Sequence, residues 1–233
     1  MPEAAAPTAP RARRARRKDA RPGEILAAAL ALFAERGFAA TRLEDVAQRA
    51  GISKGTVYLY FPTKEDLFRA VVRQDVLPAL AAMEARVAAH TGTATALLAE
   101  IAAIMLDRLN GELAAIPKLV LTEAGNFPAL AQFYAEEVAA RGMRLIGTVL
   151  ARGVAQGEFR PLDVPATAPL VVAPILLAML WRTSVGRHAA PLIDPAALLA
   201  AHLDVLLRGL TADMPPRGLA ADLPVRGLAA DRP

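Results

Sequence analysis

Residues Thr41–Leu67 read TRLEDVAQRAGISKGTVYLYFPTKEDL, and the punctuation in this stretch decides the fold. Thr41 and Glu44 form a T-x-x-E capping box, in which each side chain satisfies a free backbone N–H at a helix start. The helix that follows runs through Val46, Ala47 and Ala50. Gly51 suits the left-handed position that ends a helix, because it has no Cβ to clash. Ser53 caps a second helix that carries Lys54, Gly55, Thr56, Val57, Tyr58, Leu59 and Tyr60. Pro62 stops that helix, and Thr63 caps a third one beginning Lys64-Glu65-Asp66.

Two short helices and a tight turn make a helix-turn-helix, whose second helix sets its N-terminal residues against base edges in the major groove. The small Ala47 lets the helices approach, and Val46, Ile52 and Val57 bury against each other. Lys54, Thr56, Tyr58, Tyr60 and Lys64 are left at the open surface, with the donor groups that reach phosphates and bases. The run T-V-Y-x-Y-F followed by K-E-x-L resembles the TetR family of bacterial transcription regulators. The resemblance covers about Asp19 to Ala79, and beyond it the chain resembles the family only in architecture.

Composition supports a nucleic-acid partner for this end. The net charge is +4, but residues 1–70 hold 13 Lys/Arg against 8 Asp/Glu, whereas residues 71–233 hold 14 against 15. A basic excess beside a helix-turn-helix points to a polyanion. Hydrophobic residues make up 55% of the chain, ample for a core, and Ala and Leu dominate, which favours helix. There is no cysteine, so disulfides and Cys-based zinc sites are excluded and a reducing cytoplasm is the simplest setting. The N-terminal region has no apolar run behind its charges and does not read as a signal peptide.

The predicted organisation is all-α: a disordered basic arm over 1–18, a DNA-binding domain over 19–79 with its helix-turn-helix at about 42–61, a larger helical domain over 80–210, and a disordered tail over 211–233. The arm carries five Arg and one Lys between Arg11 and Lys18, which suits phosphate or minor-groove contact. A first helix starts near Pro22 and ends at Gly37. A long helix runs from Lys64 towards His90 with Pro78 inside it, where a kink is expected. Further helices are expected at Thr95–Leu109, Ile116–Ala124, Pro128–Gln156, about 166–185 and 195–210. Val164–Trp181 carries no charge over eighteen residues. Its three prolines and its isolation favour a helix buried in a core or a subunit interface over a membrane span. The tail repeats every nine residues (RGLTADMPP, RGLAADLPV, RGLAADRP), too short a unit for a solenoid.

No catalytic constellation is visible. His90, His188 and His202 have no metal-binding spacing, and neither Ser53 nor Ser184 sits in G-x-S-x-G. Glu136 and Glu137 are adjacent and diverge on a helix. No enzyme activity, metal or cofactor is expected. The expected activity is that of a homodimeric regulator, most simply a repressor. Activation, or ligand binding without DNA, stays open at this point.

Within that reading Lys54 and Thr56, with close approach at Gly55, are placed on base edges. Tyr58, Tyr60, Lys64 and Thr41 are placed on phosphates, with Ser53 as cap and neighbour to the DNA. The resemblance implies that the last two helices pair with their copies in a dimer through Leu176, Leu177, Leu180, Leu198, Leu199, Leu203, Leu206 and Leu207. It also implies an effector pocket in the larger domain, lined from Met105, Leu109, Leu121, Phe127, Phe133, Tyr134 and Trp181.

Overall fold

In a computed structural model the chain is described over residues 10–108, 111–188 and 193–211, and every regular element among them is helical. Helix α1 spans Pro10–Arg36, α2 Leu43–Arg49, α3 Lys54–Tyr60 and α4 Lys64–Val71. The larger part comprises α5 (Leu77–Ala89), α6 (Ala94–Arg108), α7 (Ala115–Glu123), α8 (Pro128–Tyr134), α9 (Ala140–Ala155), α10 (Val164–Thr183) and α11 (Pro195–Leu210).

Local chemistry accounts for the first four helices. Ile25, Ala28, Ala29, Leu32 and Phe33 fall on one face of α1 and are buried. Gly37 ends that helix with φ 83°, and Gly51 makes the turn after α2 with φ 65°. The Ser53 hydroxyl accepts from the Thr56 N–H at 3.2 Å and the Thr63 hydroxyl from the Asp66 N–H at 3.0 Å. Val46 and Val57 are fully buried between α2 and α3.

Three expectations need correction here. Residues 10–18 of the arm are helical and continue into α1, because an Ala/Arg-rich run is a strong helix former. Pro22 therefore lies inside α1 rather than at its start. Residues 1–9 and the repeat from 212 onward lie outside the described residues. The capping box also shifts by one residue: Arg42 is the cap, and its N–H donates to the Asp45 carboxylate at 3.4 Å.

Helix α4 runs into α5 without a break, through a π-turn at Val72–Val76 where the Leu77 N–H reaches the Val72 carbonyl. Pro78 supplies the reason, since it has no N–H for the Gln74 carbonyl and its ring crowds that turn. A second π-turn, Ala135–Ala139, joins α8 to α9.

The core has a consequential layout. One buried cluster joins Ile25, Phe33, Phe38, Val57, Leu67 and Phe68 of the N-terminal helices to Ile116, Leu119, Val120, Leu130 and Phe133 of α7 and α8. Phe38 is its hinge, with ring centroids 5.5 Å from Phe33, 5.9 Å from Phe68 and 4.8 Å from Phe127. A second cluster fills the space between α5, α6, α9 and α10.

Candidate DNA interface and ligand cavity

Helix α3 presents Ser53, Lys54, Gly55, Tyr58 and Leu59 to solvent. Its polar groups are engaged with one another. Lys54 Nζ makes an ion pair with the Glu44 carboxylate of α2 and lies 5.4 Å from the Tyr58 ring centroid. The Tyr58 hydroxyl donates to the same carboxylate at 3.2 Å. The hydrogen bond from Lys54 holds Glu44 below the usual carboxylate range, and the same bond raises Lys54. Ser53 Oγ and Thr56 Oγ1 share a hydrogen bond of 2.7 Å. Gly55 has open space where a Cβ would stand.

Three residues placed on phosphates are committed inward. Thr41 is 1% exposed, and its hydroxyl donates to the Gly37 carbonyl at 2.7 Å. Lys64 Nζ donates to the Phe38 and Ala39 carbonyls at 2.7 and 3.0 Å and sits 4.5 Å from the Phe38 ring centroid. Burial pushes Lys64 down from the ordinary lysine value. Tyr60 is half-buried against the N-terminal core. Thr41 and Lys64 thus brace the α1–α2 turn, because each donates to backbone carbonyls of that turn. Arg42 and Leu59 are exposed too, and the sequence alone does not single them out. Arg42 was hidden by the one-residue slip of the cap, and Leu59 by its apolar character.

In the larger part a cavity of about 500 Å³ is walled by α5, α6, α7, α9 and α10 and by both π-turns. That volume falls within the range of small-molecule sites. Its lining is apolar, with Met105, Leu121 and Tyr134 among the anticipated residues. Polar groups are few: Asp75, Arg108 and the Tyr134 hydroxyl. Burial pushes the Tyr134 phenol up to about 12, so it stays protonated and able to donate.

The other anticipated lining residues lie elsewhere. Leu109 lies outside the described residues. Phe127 packs on Phe38, and Phe133 lies 5.8 Å and 5.4 Å from the Arg69 and Arg73 guanidinium carbons. Both rings belong to the contact between the two parts of the chain. Trp181 turns towards the 3₁₀ turn at Val185–Arg187, where its Nε1 is buried without a partner among the described residues. Helical spacing marks a residue as apolar-facing but cannot tell a cavity wall from a packed seam, hence these misplacements.

The last two helices divide their leucines between inside and outside. Leu199 is 7% exposed and packs on Ile175, Ala178 and Met179 of the same chain, and Leu176 lines the cavity. Both are therefore turned inward. Leu180, Leu198, Leu203, Leu206 and Leu207 are half-buried. Leu177 remains outward, joined by Leu170 and Val205, which are 60% and 70% exposed. Helix α10 is long and apolar enough to cross a membrane by length and composition alone. Its buried residues, Ala168, Val171, Val172, Ile175, Ala178, Met179 and Thr183, form one face, so its uncovered apolar surface is a stripe rather than a full circumference.

Two family profiles divide this architecture between them: "Bacterial regulatory proteins, tetR family" matches residues 25–71, and "Tetracyclin repressor-like, C-terminal domain" matches residues 88–194. The chain belongs to the TetR family. Among named TetR-type relatives, the uncharacterized regulator YfiR of Bacillus subtilis is 46% identical over 55 residues, which is 24% of this chain and 27% of that protein. The chain thus matches little more than a quarter of that relative's length. The repressor KstR2 of Mycolicibacterium smegmatis is 29% identical over 192 residues, covering 81% of this chain and 89% of its own. The solved structure of KstR2 from Mycobacterium tuberculosis, described as a ketosteroid transcriptional regulator, superposes with a TM-score of 0.63 at 26% identity over 83% and 96% of the two chains.

Proposed function

We propose that this TetR-family regulator is a homodimeric, cytoplasmic repressor that leaves its operator when a largely apolar small molecule fills the cavity. One observation carries the reading: the same elements wall the cavity and hold the DNA-binding helices. Helix α7 lines the cavity with Val120 and Leu121, and its Glu123 accepts from the Ala39 N–H at 3.2 Å in the turn before α2. Helix α4 runs into α5 through the π-turn that gives Asp75 and Val76 to the cavity wall. A ligand that fits the cavity better in one setting of α4 and α7 shifts the population by that difference in affinity.

Two copies place their α3 helices in successive major grooves about 34–36 Å apart. The exposed Leu170 and Leu177 of α10 and Val205 of α11 support a two-fold pairing of these helices, since exposed apolar surface marks interaction sites. The likeness to KstR2, which is named a repressor, supports repression over activation.

The purified protein should bind a palindrome near its own gene with an affinity that falls steeply with salt. Compounds found to release it should fail on Val138→Trp, which fills the cavity without touching α3. Absent or salt-independent binding refutes the DNA reading. Release that persists in Val138→Trp refutes the cavity as effector site.

A further inference from the structure

We propose that Leu59 is a specificity-determining residue of the DNA interface, reading the 5-methyl groups of thymines in the operator. This rests on the DNA-binding reading above. Leu59 is 79% exposed, the most exposed of the large apolar side chains on the described surface. It lies on α3 one turn after Gly55, on the same face. The polar side chains around it are spoken for: Lys54 and Tyr58 by Glu44, Ser53 and Thr56 by each other. Leu59 alone among the outward side chains of α3 has no partner of its own kind.

A leucine entering the major groove meets base edges that carry donors, acceptors and one apolar group, the thymine methyl. Its burial against that methyl is the favourable contact the groove offers. Any other base edge leaves polar atoms desolvated against a hydrocarbon. Gly55 assists, because the missing Cβ leaves room for the backbone of α3 to move close to the bases. The readout expected from the sequence, through Lys54 and Thr56, therefore shares the helix with an apolar one.

The test is to select bound duplexes from a random pool with the full-length protein, then replace each thymine in turn by uracil, which deletes only the methyl. Loss of one buried methyl-sized group weakens binding about fourfold, and symmetric replacement in both half-sites about fifteenfold. At least one thymine per half-site should show this penalty with the wild type. Leu59→Ala, exposed and hence neutral for folding, should bind thymine and uracil duplexes equally while keeping its salt dependence. Leu59→Met should retain the penalty. The proposal is overturned if the wild type is indifferent to uracil at every position, or if Leu59→Ala keeps the penalty at the same thymine. Failure to select any duplex overturns the underlying DNA reading itself, a result distinguishable from the other two.

Discussion

Replacing Lys64 by Met separates a structural lysine from a phosphate-binding one. Lys64 donates two charge-assisted hydrogen bonds, to the Phe38 and Ala39 carbonyls, from within an aromatic pocket made by Phe38 and Phe127. Methionine keeps the apolar stem and loses both donors. Hydrogen bonds to a charged group are each worth about 1.5–3 kcal/mol. The half-buried ammonium is itself partly desolvated, which offsets some of this, so a net loss of about 2–3 kcal/mol is expected. For a chain of this size that corresponds to a drop in Tm of roughly 5–10 °C. Thermal or urea unfolding of the wild type and the variant reads this directly.

The companion measurement is the slope of log Kobs against log salt on a selected operator, at a temperature where both proteins are folded. A lost phosphate contact in each half-site lowers the slope by about 1.8 in total. The geometry predicts an unchanged slope. An unchanged Tm with a slope reduced by that amount would refute the assignment of Lys64 as a brace for the α1–α2 turn.

Gly55→Ala should leave Tm equal or slightly higher, since its Cβ meets no atom and alanine favours helix, while operator affinity falls about tenfold or more from crowding at the bases; unchanged binding would show that α3 does not approach DNA at this point. Leu177→Glu combined with Val205→Glu should yield a folded monomer by sedimentation that has lost operator binding, because both side chains are exposed in the single chain; a persistent dimer would place the interface elsewhere. The Arg141 guanidinium, bonded to Glu84 at 3.0 and 2.6 Å, holds that carboxyl below its usual 4.5. Its stabilisation is present above pH 4.5 and lost as pH falls through the lower folded-state value. Glu84→Gln should therefore flatten the acid limb of stability against pH, and an identical limb in both proteins would remove this pair from the account.

What was legible in the sequence followed the range of the interactions. Gly37, Gly51, Ser53 and Thr63 act on their own neighbours within three or four residues, so the helix-turn-helix and most helix ends could be read directly. Glu44 reaches Lys54 and Tyr58 ten and fourteen residues away, and Lys64 reaches Phe38 twenty-six residues away; no local pattern announces such pairs. The same limit governs the larger part. Met105 and Tyr134 face the cavity while Phe133, next to Tyr134, turns to Arg69 and Arg73, a choice made by the α4–α8 contact rather than by spacing. Pro78 signals a bend, but the wider, under-wound π-turn before it has no local signature of its own. The second such turn, at Ala135–Ala139, has no proline within it to mark it.

The buried cluster that runs from Phe33 and Phe68 into Leu119 and Leu130 has a practical side. A fragment ending near residue 80 would carry the whole helix-turn-helix yet leave Phe38, Val71 and their neighbours facing water where α7 and α8 belong. Such a fragment is a candidate for aggregation, not a minimal DNA-binding reagent, and chemical denaturation of the intact protein should melt both parts in one step. The two family profiles thus meet across one shared buried core.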